Sequence, residues 1–89
     1  MSATIIQQKV KDYATWKKQF DSLKDIRKTS GVLSDQIYRD ARDPNRVMIV
    51  LRWDSITHAE KYFSSTELKS ALVKGGVEGQ PTINYLNEA

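Results

Sequence analysis

The chain has 89 residues, 39% of them hydrophobic and 28% charged, with 14 Lys and Arg against 11 Asp and Glu. That length allows one domain over residues 1–89 with a single core, and this balance of apolar and charged residues excludes a disordered polypeptide. A net charge of +3 is too mild to mark a nucleic-acid binder, and the absence of cysteine removes disulfides, thiolate catalysis, Cys-ligated zinc and iron–sulfur clusters. The longest uninterrupted apolar run, Val47 to Leu51, falls far short of the ~20 residues of a membrane span. Met1-Ser2-Ala3 has neither the basic n-region nor the apolar h-region of a signal peptide, so a cytoplasmic protein that binds no membrane is expected.

Thr4 to Lys11 (TIIQQKVK) is rich in β-branched residues and predicts a first strand. Asp12 follows as a helix N-cap, and Tyr13, Trp16, Phe20, Leu23 and Ile26 recur at the three- and four-residue spacing of a helix lying on a sheet. Lys17, Lys18, Asp21, Lys24, Asp25 and Lys28 mark the solvated side, and Gly31 ends the helix. Val32 to Asp40 (VLSDQIYRD) predicts a second strand, followed by a turn at Ala41-Arg42-Asp43-Pro44-Asn45. Arg46 to Trp53 (RVMIVLRW) predicts the third, with Val47, Ile49, Leu51 and Trp53 on one face and Met48 and Val50 on the other. An apolar residue on both faces points to a central strand covered on both sides. Asp54 is the expected cap of a second helix whose inward face carries Ile56, Ala59, Tyr62 and Phe63. Ser64 and Glu67 have capping-box spacing, so the helix restarts there and continues its inward face with Leu68, Ala71 and Leu72. Gly75-Gly76 terminates it, Gly79-Gln80-Pro81 predicts a bend, and Thr82 to Asn87 a fourth strand.

The order βαββαβ, with right-handed crossovers, places four antiparallel strands as 4-1-3-2 with the helices on one face, a ferredoxin-like α+β fold. One sheet face then has no helix over it. Met48 and Val50 on that face make a homodimer, sheet against sheet, the simplest expectation.

This fold hosts many activities, so each is judged at its own residues. RNA recognition needs stacking aromatics on the central strands, and RVMIVLRW holds only the terminal Trp53. Metal chaperones need a cysteine pair, and anion-cradling loops after strand one need glycines where this chain has Val10-Lys11-Asp12-Tyr13. His58 is the sole histidine and has no neighbouring ligands at metal spacing, so no metal site is expected. It lies one turn before Tyr62, and the pair either binds or deprotonates a phenolic substrate or, for His58, is a solvated flank of a surface helix. Tyr13, Trp16, Phe20, Tyr38, Trp53, Tyr62 and Phe63 either wall a pocket between helices and sheet or fill the core. Gln7, Lys9, Gln36 and Asn84 interrupt the strands with polar groups, pointing either inward or to solvent.

Several segments resemble the antibiotic-biosynthesis-monooxygenase-like family of the dimeric α/β-barrel superfamily. They are Val10 to Phe20 (VKDYATWKKQF), Tyr38-Arg39-Asp40 with Asp43-Pro44-Asn45, Leu51-Arg52-Trp53-Asp54, and Ser64 to Lys69 (SSTELK). The resemblance implies a homodimer whose sheets form a barrel, with a cavity between sheet and helices, and cofactor-independent oxidation of an aromatic or polyketide-like molecule by oxygen. On that reading His58 or Tyr62 is the catalytic base or hydrogen-bond partner, Tyr38 orients the substrate, and Trp16, Trp53 and Tyr13 contribute to binding it. A haem-degrading branch of the superfamily carries an Asn on strand one and a His on its second helix. Here those places fall at Ile5, Ile6 or Gln7 and near Leu72, which offers iron no ligand, so no cofactor is implied. The alternative is a non-catalytic ligand-binding or stress-related protein built on the same barrel.

Overall fold

The computed structural model describes residues 2–89. In chain order the elements are β1 (Ser2–Val10), α1 (Tyr13–Ser22), α2 (Lys24–Ser30), β2 (Val32–Arg39), β3 (Arg46–Trp53), α3 (Ile56–Phe63), α4 (Thr66–Lys74) and β4 (Val77–Asn87). The sheet order is β2-β3-β1-β4, all antiparallel, which is the ferredoxin-like arrangement anticipated from the element pattern.

Strict alternation along the two central strands divides the sheet. Thr4, Ile6 and Val10 of β1 and Val47, Ile49, Leu51 and Trp53 of β3 all face the helices and are buried. Trp16 of α1 and Ala59 and Tyr62 of α3 close over them. Inside this layer Trp53 Nε1–H donates to Thr4 Oγ1 at 2.9 Å, with both side chains fully enclosed. On the other face, Gln7, Tyr38 and Thr82 flank Met48 in one row, and Ile5, Gln36 and Asn84 flank Val50 in the next. Met48 is exposed and Val50 half-buried, so within one chain β3 is central and the helices cover one of its sides.

The helices start and stop somewhat differently from expectation, for local reasons. Asp12 does cap α1, accepting from the Thr15 N–H at 2.9 Å and its hydroxyl at 2.7 Å, and those bonds hold its carboxyl below the usual carboxylate range. The next two caps each fall one residue later than expected. Ser55 caps α3 by accepting from His58 N–H, while Asp54 binds the His58 ring; Ser65, not Ser64, caps α4. The first helix also divides at Leu23, where the Ser22 hydroxyl donates back to the Gln19 carbonyl and competes with the helical ladder. Gly31 ends α2 at φ 112°, where a Cβ would meet the Asp54 carboxylate.

β4 begins at Val77, so the Gly79-Gln80-Pro81 segment expected to be a bend lies inside a strand. Pro81 is tolerated there because β4 is an edge strand, and the register against β1 shifts between Gln7 and Lys9. Gln7 pairs with Thr82 and Lys9 with Glu78, so the bulged segment opposes Gln8.

Replacing Thr4 with the isosteric Val leaves the Trp53 indole N–H buried without an acceptor. The expected loss is about 1–3 kcal/mol in urea unfolding, with an unchanged m-value.

Candidate active site

Between the sheet and the helices lies a cavity of about 220 Å³. Ile6, Ile49 and Leu51 form its floor, Trp16 and Phe20 one wall, and Tyr62 and Phe63 another. The aromatic walls are themselves packed as units: Trp16 stacks on Phe20 with ring centroids 5.1 Å apart, and Phe63 meets Tyr62 edge-on at 5.3 Å. An apolar cavity of roughly 150 Å³ holds a benzene ring, so this one has room for a bicyclic molecule.

Three of the polar residues that line this space are buried. Tyr62 is 7% exposed, and burial pushes its phenol above the ordinary tyrosine range; the positive charge and hydrogen bonding of Arg27 oppose that rise. Arg27, only 3% exposed, is the second. Its guanidinium carbon sits 3.6 Å over the Phe20 ring, and Nη1 donates at 2.6 Å to the Phe20 carbonyl, which also accepts from Leu23 N–H at 3.2 Å where α1 ends. Nη2 is 3.9 Å from Asp35 Oδ2 on β2, while Nε is buried without a partner. Burial lowers the Arg27 pKa, but the nearby phenol of Tyr62 and the carboxylates of Asp35 and Asp21 work to keep it charged. Gln8 is the third group: 9% exposed, it faces inward from β1 opposite the β4 bulge, and its Oε1 is also unpartnered. Gln80 and Pro81 from that bulge line the same cavity.

The residues singled out from the sequence divide between this cavity and other places. Tyr62 and Trp16 line it. Trp53 lies in the solid core next to Tyr62, with ring centroids 5.5 Å apart. Tyr13 is half-buried at the start of α1, under the Arg39 guanidinium at 3.8 Å from the ring centre. Tyr38 is on the far face of the sheet, 53% exposed, its hydroxyl donating to Gln36 Oε1 at 3.0 Å. His58 lies on the exposed side of α3, where Nδ1–H donates to Asp54 Oδ1 at 2.7 Å, and the shallow cleft that it lines opens along α2 and α3. Gln7, Lys9, Gln36 and Asn84 are all exposed on the uncovered face.

Arg27 and Gln8 escaped the sequence reading, although both sit where the periodicity puts an inward residue. Arg27 is eleven residues after Trp16, within about 20° of its direction on a helix of 3.6 residues per turn, whereas Ile26 is about 80° away and ends up 40% exposed. Gln8 continues the inward row of Thr4 and Ile6.

The fold and the cavity define a ferredoxin-like α+β domain with an aromatic-walled site between helices and sheet. Residues 9–74 match the antibiotic biosynthesis monooxygenase family, and the chain belongs to it. A Bordetella bronchiseptica protein assigned to these monooxygenases superposes with a TM-score of 0.84 at 12% identity, over 99% of this chain and 96% of that one. The monooxygenase ActVA-Orf6 of Streptomyces coelicolor, solved with nanaomycin D, gives 0.70 at 19% identity over 99% and 87%. SnoaB, a cofactor-independent oxygenase of Streptomyces nogalater, gives 0.74 at 8% identity over 99% and 94%. No curated protein sequence matches the chain. Among the described residues no helix is long and apolar enough to cross a membrane, and no group of three or more His, Cys, Asp or Glu is placed to hold a metal ion.

The Tyr62 assignment has a pH signature. With its native pKa raised, the neutral phenol favours the folded state; that contribution is complete below the unfolded value near pH ~10 and is lost as pH climbs through the native value. Tyr85, also raised by burial, acts in the same direction. Unfolding free energy is therefore expected to fall above pH ~10, and to fall less steeply in Tyr62→Phe, as followed by urea titrations at a series of alkaline pH values.

Proposed function

We propose that this protein is a cofactor-independent monooxygenase that oxidises an aromatic or polyketide-like phenol within the helix–sheet cavity. The observation that carries this reading is the Tyr62 hydroxyl beside a buried Arg27 guanidinium, inside a space otherwise walled by aromatic and aliphatic side chains. A phenol entering such a site loses its proton more readily, because a fixed positive charge in a low-dielectric setting stabilises the phenolate. Tyr62, held protonated, donates a hydrogen bond to the same oxygen. The electron-rich ring can then react with oxygen: a ring CH₂ (or its enol) and O₂ yield a carbonyl and water, the four electrons coming from the substrate carbon. The bound oxygenases among the structural neighbours support the reading by their fold and by the nanaomycin D held in one of them.

Roles follow from position. Tyr62 is the catalytic residue, Trp16 a substrate-binding wall and Arg27 the anion partner. His58, already bonded to Asp54 outside the cavity, serves the helix terminus, and Trp53, Tyr13 and Tyr38 serve the core, the α1 end and the outer face.

The second reading, a binding protein without turnover, is favoured by one feature: neither a carboxylate nor an imidazole is among the residues lining the cavity. Oxygen uptake against a set of naphthols and hydroxynaphthoquinones separates the two. The enzyme reading expects turnover that falls about a hundredfold in Tyr62→Phe and stays unchanged in His58→Ala. Binding without oxygen uptake leaves the second reading.

The uncovered sheet face supports a homodimer as the working unit. Ile5, Met48, Val50 and Leu86 form an apolar patch there, framed by Gln7, Gln36, Tyr38 and Asn84. Sedimentation equilibrium at micromolar concentration is expected to give twice the chain mass, and Val50→Asp to give the chain mass with unchanged circular dichroism. A monomeric native protein removes the dimer.

A further inference from the structure

The exposure of the residues that line the cavity shows where it opens. Lys69 of α4 and Gln80 of the β4 bulge are exposed, and every other lining residue is buried or half-buried. α4 packs on β4, so the two exposed residues flank one seam. Gln80 also borders the cleft on the uncovered sheet face, as a residue at the sheet's edge can.

The two flanks of α4 are held unequally. On a helix of 3.6 residues per turn Ala71 and Lys69 lie about 160° apart, with the half-buried Leu68 and Leu72 between them. The Ala71 flank rests on α1: Ala71 and Gly75 are buried, and a Cβ at Gly75 would lie 3.4 Å from Trp16 Cδ1 and 3.8 Å from Gln19 Cβ. On the flank of Leu72, Lys69 and Val73 no residue is buried. Among the described residues, no side chain of α4 hydrogen-bonds or ion-pairs with another element. Nine residues are too few for a helix to persist without packing. The connections just outside it are fixed, Ser65 N–H donating to the Tyr62 carbonyl at 3.1 Å and Lys11 N–H to the Gly76 carbonyl at 3.0 Å. Gly76, at φ 72°, gives the chain a turn at one end.

We propose that α4 is the door of the cavity. It turns about its α1-facing edge, between Ser65 and Gly76, and lifts its Leu72 and Lys69 edge from the β4 bulge to admit a flat aromatic molecule. The inference rests on the cavity being the binding site, and it holds for an oxygenase and for a binding protein alike.

The chain has no cysteine, so paired substitutions test this cleanly. Lys69→Cys with Gln80→Cys, joined by a short bismaleimide, is expected to slow both association and dissociation of 2-naphthol about tenfold or more in stopped-flow tryptophan fluorescence. Kd is expected to stay within about twofold, because a barred door raises the barrier and leaves both end states alone. Gln19→Cys with Gly75→Cys is the control, since its Cβ atoms would stand at the 3.8 Å separation usual for a disulfide. That bond ties the hinge side, and its oxidised form is expected to keep the native rates. Unchanged rates in the cross-linked mouth overturn the proposal, as does slowing by the hinge-side disulfide to the same extent. Failure of the cross-link to form overturns it too, by placing Lys69 and Gln80 apart. Hydrogen exchange needs no ligand: the amides of Leu72, Val73 and Lys74 are expected to exchange about a hundredfold or more faster than those of Tyr62 and Phe63, and to slow in the cross-linked protein. Equal protection of the two helices refutes the door whether or not 2-naphthol binds. Oxygen uptake from naphthols that the cross-link leaves unchanged keeps the oxygenase reading and refutes this one; gated binding without oxygen uptake does the reverse.

Discussion

A guanidinium enclosed by aromatic rings is the constraint around which this small domain is arranged. Removing such a charge from water is tolerable only where its hydrogen bonds are met and counter-charge lies near. Arg27 meets the first condition partly, through the Phe20 carbonyl and the face of the Phe20 ring, and the second through Asp35 at the limit of ion-pair distance. The break between α1 and α2 is the device that makes this workable. The Phe20 carbonyl accepts both from Leu23 N–H at 3.2 Å, in the tight turn that ends α1, and from the guanidinium of an arginine about two turns further on. Nε stays buried without a partner, and the same guanidinium lines the cavity beside Tyr62.

Much of the fold was legible because it rests on alternation and punctuation. The Val47 to Trp53 row, the Asp12 cap and the left-handed Gly31 are local signals with local causes, and the structure places them where residue type alone would. The site was less legible for a physical reason. Hydrophobic periodicity identifies inward positions by finding apolar residues there, so an inward Arg or Gln reads as an interruption and Ile26 is chosen over Arg27 although the helical angle favours the latter. The early start of β4 was hidden in the same way, since Gly79-Gln80-Pro81 carries the composition of a bend and only its edge position lets it remain in the sheet. Tyr38 shows the opposite difficulty: a tyrosine on a strand is equally at home on either face, and the pairing of Tyr38 with Met48 assigns it to the uncovered one.

The two faces of β3 divide the labour of the molecule. One row is closed by helices and surrounds the cavity; the other, two residues deep and apolar at its centre, faces away from it. Because neighbouring residues in a strand point to opposite sides, each substitution on the outer row lies one residue from an inner one, and the backbone couples the cavity floor at Ile49 and Leu51 to whatever covers Met48 and Val50. A partner on the outer face therefore stiffens the floor beneath a ligand without contacting it.

The pairing of β1 has a consequence for biosynthesis. Its neighbours are β3 and β4, with Ser2 opposite Trp53 on one side and Asn87 on the other, so β1 waits for strands that lie far along the chain. Of the three strand pairs only β2–β3 is a local hairpin; the Ile6 row stays wet until Arg46–Trp53 is in place, and the sheet gains its β4 edge only when Val77–Asn87 joins. Such long-range closure slows folding and leaves an unzipped, greasy β1 as the segment on which nascent-chain chaperones would act.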